Sequence, residues 1–599
     1  MGEQNILMPK HSIKARLICS IVLAAIFQVL VELPVKIRAQ ETKTVSLNDP
    51  KELEAFLDPI FAEQMEKLHI PGAAIAVVKD GKIFFSKGYG YANLEKKTPV
   101  TADKTIFRIG SITKVFTATA LVQLADRRKI NLNTDVNKYL KDFKIQNTYP
   151  QPVTFANLLT HTAGFDEINL GRKTTSADKV IPLGEFLKAR LIRRQPPNQA
   201  SSYSTYGITL AGYLVETISK MDFREYLNRN IFKPLEMNRT SITAVPQPLQ
   251  TDFATGYDYA GNNYRPLGFE YFHTYPASDI NSTVTDMAHF MLAHLEGGRY
   301  GKTRILSERA ARDMHRQHFA NHPRLLGFAY GFFENRQNGL RAIEHGGSMD
   351  GFSTLLYLSP EKRLGIFIAA NRETSGLQER VKSKILNRYF PTENKTEIAQ
   401  PQAQLQERLD RFVGKYRGDF YCHTCKEGAR GYVPPAFDIK ANDDGTISFW
   451  GGEWKQIEPL LFQLVGEGQL DNGETLVAFR EDRNGQITAM LNGTVVNEKL
   501  LSDATQQAAT INISPQILNA YVGEYEIAPN QRITITLEGN NLMGVMTGQP
   551  KIELSPASET RFIVKEANAE VNFFKDEQGR VTHLILRLND EEMRGRKIK

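Results

Sequence analysis

A polar stretch, Thr392 to Gln406, divides this chain of 599 residues into two parts with different periodicities. It carries Pro401 and several Gln with little apolar content, the composition of a linker. Before it, from about Leu53 to Phe390, strand-like runs alternate with amphipathic helical ones, the pattern of a mixed α and β domain. After it, short strand runs are separated by turn signals such as Asp444-Gly445, Asn484-Gly485 and Gln578-Gly579, with almost no helical periodicity. A chain this long exceeds what one hydrophobic core supports, and length alone sets a prior of roughly four domains.

Within the first part, Ala73 to Val78 and Lys82 to Ser86 flank Asp80-Gly81, and Phe352 to Leu358 and Leu364 to Ala370 flank Ser359-Pro360-Glu361-Lys362; both read as hairpins. Helical stretches such as Val115 to Arg128 and Ile208 to Lys220 lie between them. The expectation is an antiparallel sheet with helices packed on it. The second part reads as a diverged repeat. Phe412-Val413-Gly414-Lys415-Tyr416 matches Tyr521-Val522-Gly523-Glu524-Tyr525, and Phe479, Asp482, Gly485 and Ile487 match Phe573, Asp576, Gly579 and Val581 at identical spacing. The first copy is longer and includes Cys422-His423-Thr424-Cys425.

The net charge of +7 comes from 74 basic and 67 acidic residues scattered along the chain, so no basic block tracks nucleic-acid phosphates. Three cysteines are too few for a disulfide framework. Lys10, Lys14 and Arg16 precede a largely apolar run from Leu17 to Leu33, the layout of an export signal, with Ile37-Arg38-Ala39 as a cleavage site. Cleavage is the first reading, giving a secreted or periplasmic protein; a retained signal anchor, the membrane's one point of contact, is the alternative. Cys422 and Cys425 read first as a short-range disulfide, with half a metal site or two free thiols as alternatives. No metal and no cofactor is expected. The β-modules either bind cell-envelope material such as glycans or pack over the first domain, and packing is favoured because their turns carry no ligand motif.

Ser111-Ile112-Thr113-Lys114 opens an apolar helix, which places the Ser hydroxyl and the Lys amine on one face. Ser-x-x-Lys also occurs at Ser176 and Ser359, but neither opens such a helix. A free Lys titrates near ~10.4 and a useful base near ~7 to 8, a shift of about 4 kcal/mol. A helix N-terminus contributes at most ~2 kcal/mol. Desolvation or a further partner is therefore required, and Tyr203, in Ser201-Ser202-Tyr203-Ser204-Thr205, precedes another apolar helix.

With His345-Gly346-Gly347 before the Phe352 to Leu358 strand, these residues resemble the serine β-lactamase and penicillin-binding-protein superfamily, on the branch of class C β-lactamases, DD-carboxypeptidases, D-aminopeptidases and β-lactamase-like esterases. The resemblance spans roughly Phe56 to Asn371 and includes Leu158 to Gly164, Ile231 to Met237 and Ser282 to Met287. It implies an α+β fold: an antiparallel sheet flanked by helices plus an all-helical subdomain, followed here by two small all-β modules. The expected boundaries are 1–39 for the signal segment, 48–391 for the hydrolase domain, 392–406 for the linker, and 407–504 and 513–599 for the modules. By resemblance Ser111 is the acylating nucleophile, Lys114 its proton acceptor or tuning group, and Tyr203 the base that returns the proton. Thr205, His345, Gly347 and Ser348 are the substrate-binding positions, and the backbone N–H groups of Ser111 and Ser348 form the oxyanion hole. Two positions depart from the family pattern. Thr205 stands where the family has the Asn of Tyr-x-Asn, and His345 where others have the Lys of Lys-Thr-Gly. The permanent attraction for a substrate carboxylate is thereby lost. The expectation is a small-molecule or peptide acyl substrate: an ester, an amide or a D-amino-acid peptide. A true β-lactamase or DD-carboxypeptidase, and a silent binding protein on the same scaffold, are the alternatives.

Overall fold

The computed structural model describes residues 45–391 apart from 375, residues 408–500 apart from 426–431, 467–469, 471 and 472, and residues 513–598 apart from 529–530, 548–550, 557–558, 565–568, 577 and 589–590. The signal segment with Cys19, and the linker at 392–406, lie outside the described residues. Among the described residues no helix is long and apolar enough to cross a membrane.

The first domain is built on one antiparallel sheet whose strands are β1 (Gly72–Lys79), β2 (Lys82–Asn93), β3 (Thr98–Pro99), β4 (Phe328–Ala329), β5 (Phe332–Asn335), β6 (Ala342–Met349), β7 (Phe352–Ser359) and β8 (Leu364–Ala370). They lie in the order β4-β5-β6-β7-β8-β1-β2-β3. Asp80 and Gly81 both have positive φ, 50° and 82°, which gives the tight β1–β2 turn its hand. Five longer helices accompany the sheet: α1 (Pro50–Lys67), α2 (Thr113–Asp126), α3 (Thr205–Ser219), α4 (Val284–Leu295) and α5 (Gly376–Tyr389).

Side-chain alternation on β1 assigns the faces. Ala73, Ile75 and Val77 pack with Leu53, Leu57 and Phe61 of α1 and Leu377, Val381 and Ile385 of α5. Ala74, Ala76 and Val78 pack with Met287 and Met291 of α4, in a core that continues into the helical region around α2 and α3. A strand covered on both sides cannot alternate apolar with polar residues, and every residue of β1 from Gly72 to Val78 is buried. The domain is thus the expected sheet flanked by helices with a helical region at one side.

Each repeat closes into a barrel of eight antiparallel strands, running from Gly414–Gly418 to Val495–Lys499 and from Gly523–Ala528 to Glu591–Lys597. The matching residues do the same work in both. The Tyr416 hydroxyl donates to Phe412 O at 2.7 Å, and the Tyr525 hydroxyl to Tyr521 O at 2.8 Å. Asp482 accepts from the backbone N–H groups of Asn484 and Gln486, as Asp576 does from those of Gln578 and Arg580, around Gly485 and Gly579 at φ 75° and 77°. A short helix, Pro515–Tyr521, capped by Ser514, precedes the second barrel and was not evident in the sequence pattern. The outer face of the first barrel packs on the first domain, where Ala200 and Leu325 meet Ile457, Leu461, Leu491 and Val496. Cys422 and Cys425 form a disulfide with Cα atoms 5.5 Å apart.

Both tryptophans of the chain, Trp450 and Trp454, lie in the first barrel, so tryptophan fluorescence reports that barrel. Tyr416→Phe is expected to cost about 1 kcal/mol and to lower the urea midpoint read by fluorescence, while Tyr525→Phe leaves that midpoint unchanged.

Candidate active site

Ser111 lies in a 3-10 turn, Gly110–Ile112, that leads directly into α2. Gly110 has φ +54°, and a Cβ there would come within 3.0 Å of Ser348 N, so the Ser111 turn lies against β6. One helical turn on, the side chain of Lys114 is fully buried. Its Nζ is 3.0 Å from Ser111 Oγ and 2.9 Å from the carbonyl oxygen of Ala277, to which it donates. Burial pushes the amine down to about 7; Glu167 opposes that fall and Arg172 adds to it.

Tyr203 precedes α3 in an extended segment whose neighbours are all held. Ser202 N donates to His161 O at 2.8 Å and Ser204 N to His161 Nδ1 at 3.0 Å. Thr205 N donates to Glu167 Oε2 at 2.8 Å, and Glu167 Oε1 accepts from Arg172 at 3.1 Å. The Tyr203 ring lies 4.9 Å from Lys114 Nζ and lines the same cavity as Ser111. Desolvation raises its pKa well above the ordinary value, so it is a neutral phenol at neutral pH. His161, buried 4.6 Å from the Tyr203 ring, is held neutral by burial and by Lys114 and His345.

The third wall is β6. Its pairing with β5 ends at Phe333↔Glu344, whereas its pairing with β7 runs on to Met349↔Phe352. Residues 345–349 therefore keep one edge open beside Ser111. A Cβ on Gly347 would lie 2.1 Å from Ile109 O and 2.3 Å from Thr354 Oγ1, so only glycine allows this approach. His345 is buried, with its ring 5.0 Å from Phe333. Its Nδ1 lies 2.7 Å from Gly346 O, which can only accept, so Nδ1 carries the proton and the unpartnered, buried Nε2 offers a lone pair. Burial first, then Lys114, pushes the imidazole down to about 3. A cavity of about 570 Å³ opens here, lined by Ser111, Tyr203, Phe333, His345, Ser348 and Glu373 among others. Ser348 Oγ donates to Glu373 Oε1 at 2.5 Å.

Ser111, Lys114, Tyr203, His345, Gly347 and Ser348 thus converge. Thr205 does not line the cavity; its side chain is buried, with Oγ1 3.4 Å from Arg172. Ser359 donates to Arg341 O and Ser176 sits in an exposed turn, so the two other Ser-x-x-Lys serines take no part. Glu167, Arg172, Phe333 and the Ala277 carbonyl carry no motif. Their one sequence signal is the pairing that a buried Lys requires.

The chain belongs to the beta-lactamase family, whose model matches residues 57–387, more than half of its length. A second model, a domain of unknown function (DUF3471), matches residues 507–599. Curated relatives include Protein flp of Staphylococcus aureus strain N315, 28% identical over 339 residues, covering 55% of this chain and 66% of that protein. Another is the unguisins hydrolase ungD' of Aspergillus campestris, 29% identical over 353 residues, covering 55% of this chain and 63% of that one. The chain thus spans just under two thirds of these relatives' length. Among solved structures, the octameric penicillin-binding protein homologue from Pyrococcus abyssi aligns with a TM-score of 0.49 at 20% identity, over 91% of this chain and all of that one. A beta-lactamase/D-alanine carboxypeptidase from Pseudomonas syringae aligns with the same TM-score at 21% identity, over 57% of this chain and all of that one.

The two glycines of the β6 edge should respond differently. Gly347→Ala forces the strand off the Ser111 turn and is expected to cost about 1 to 3 kcal/mol, seen as a fall of several degrees in Tm. Gly346→Ala, whose Cβ would meet nothing nearer than Thr354 O at 4.0 Å, is expected to melt with the wild type.

Proposed function

We propose that this chain is an exported serine hydrolase that forms a covalent acyl-enzyme on Ser111 and acts on esters, amides or D-amino-acid peptides lacking a free C-terminal carboxylate. The observation that carries this reading is the 3.0 Å approach of Lys114 Nζ to Ser111 Oγ, with the amine pushed down to about 7. A neutral amine at that distance accepts the hydroxyl proton as Oγ attacks the acyl carbon. The backbone N–H groups of Ser111 and Ser348 hold the developing oxyanion. Tyr203, a neutral phenol lining the same cavity as Ser111, gives its proton to the leaving group and regains one from Lys114. Water then enters along the same path and releases the acyl group.

The substrate class follows from His345. Its neutral ring offers a lone pair where a cation would attract a carboxylate, and Glu373 adds negative charge at the rim. An acyl group with a free carboxylate beside it gains nothing there. The hydrolase among the relatives supports hydrolysis as the outcome. The Cys422–Cys425 disulfide supports export to an oxidising compartment.

Turnover of p-nitrophenyl butyrate is expected, and Ser111→Ala should reduce it by about 10³-fold or more. A fluorophosphonate probe that labelled Ser111→Ala as well as the wild type would sink the reading. Because Lys114 acts as the deprotonated amine, kcat/KM should rise with pH through a midpoint near 7 and level off above it. Nitrocefin should be turned over more slowly than short acyl esters; the reverse order would overturn the substrate assignment.

A further inference from the structure

The turn closed by Cys422 and Cys425 belongs to the first barrel, yet its polar contacts point into the hydrolase domain. Asp166, fully buried, accepts on Oδ1 from His423 N at 2.9 Å, and on Oδ2 from Thr424 N at 2.8 Å and Thr424 Oγ1 at 2.6 Å. The next residue is Glu167, whose carboxylate holds Thr205 N and Arg172 and bears on the charge of Lys114. A second strap runs beside the first. Arg194 donates to Ser202 Oγ at 3.2 Å, to Asp419 Oδ2 at 2.5 Å and to Glu498 Oε1 at 3.3 Å. Ser201 Oγ donates to Thr494 O at 2.7 Å, and Asn321, which accepts from Ser201 N, donates to Gly493 O. Of residues 201–205, the two before Tyr203 are tied to the barrel, and Thr205 is tied to Glu167 beside the disulfide turn.

We propose that the first barrel is a positioning part of the active site: its disulfide turn, through Asp166, holds Glu167 against the Tyr203 segment at Thr205 N. Asp166 and Thr424 touch no reacting atom and are positioning residues. The role has a physical reason. Three donors converging on a buried carboxylate fix it far better than one, and a turn closed by a short disulfide presents its amides preformed. Glu167 is thereby kept where its charge offsets part of the burial that depresses Lys114.

The inference rests on Ser111 acyl-enzyme chemistry, and the test separates the two. Wild-type full chain that neither labels with fluorophosphonate nor hydrolyses p-nitrophenyl butyrate defeats the functional reading itself. Given an active wild type, Thr424→Val and Asp166→Asn are expected to lower kcat at least tenfold with KM changed by less than about threefold. The midpoint of the kcat/KM profile should also fall, because Lys114 would lose the opposing charge of Glu167 while Arg172, Tyr203, His161 and His345 remain around it. Thr424→Ser, which keeps the hydroxyl, should restore both. A merely structural role would reduce the fraction of labelled enzyme and leave the midpoint of the remainder in place. If either variant fails to fold, the wild type treated with dithiothreitol serves instead: the reagent's two thiols become its cyclic disulfide, and Cys422 and Cys425 become free thiols. Activity and midpoint should then shift and return on reoxidation. Unchanged kcat and midpoint in folded variants, or in enzyme shown by mass to be reduced, would overturn the proposal.

Discussion

The arrangement depends on burying one amine, that of Lys114. A fall from 10.5 to about 7 for Lys114 corresponds to a cost on the order of 5 kcal/mol, more than a helix N-terminus supplies. Complete burial supplies it, so α2, the Tyr275–Ser278 helix and the Tyr203 segment must close over the side chain. Burial without partners would make the group an unsatisfied donor, and the Ala277 carbonyl and Ser111 hydroxyl remove that penalty. Glu167 limits the effect: it sits on the opposite side of the balance from desolvation and Arg172.

The Ala277 carbonyl can do this only if the segment carrying it is rigid. Thr117 Oγ1 donates to Pro276 O at 2.5 Å, Ile280 N donates to Thr113 Oγ1 at 3.1 Å, and Ile109 N donates to Ile280 O at 2.9 Å. Beneath them Arg108 and Asp279 form a buried ion pair, and the guanidinium lies over Phe269 at 4.3 Å. Burial raises the Asp279 carboxyl despite Arg108, which marks the pair as a costly but well-packed strut. Breaking it by removing one partner would strand a charge under the turn that carries Ser111.

The features legible in the sequence are those encoded locally. Asp80-Gly81 specifies a turn from two residues, Ser111 and Lys114 meet because a helix brings i and i+3 together, and the repeat shows in the match of Phe412–Tyr416 with Tyr521–Tyr525, five residues each. Tyr203 and His345 were found through the family pattern, which encodes long-range proximity that periodicity does not. What escaped was pairing at a distance without a motif. Glu167 reaches Thr205 across a sequence separation of 38, and Asp166 reaches Thr424 across 258. The Pro515–Tyr521 helix escaped for another reason: it is too short for a 3.6-residue period to declare itself. The sequence gives His345 no permanent charge, whereas its tautomer follows from the Gly346 carbonyl, a neighbour that only the folded chain supplies.

The two barrels show how a repeated module can acquire a task in one copy. In the second, strands Gly523–Ala528 and Gln531–Glu538 are separated by two residues; in the first, Gly414–Gly418 and Phe437–Ala441 are separated by residues 419–436. Asp419 and the disulfide turn both lie in that longer connection. A closed barrel tolerates such an insertion because its strands have no free edge to lose and its core, built around Phe412, Tyr416, Trp454 and Phe479, includes none of the connection's described residues. Loop closure adds only about 0.6 kcal/mol per doubling of length. The barrel core and the docking loop could therefore change separately, and the polar contacts with Asp166 and Arg194 sit where change costs the barrel least.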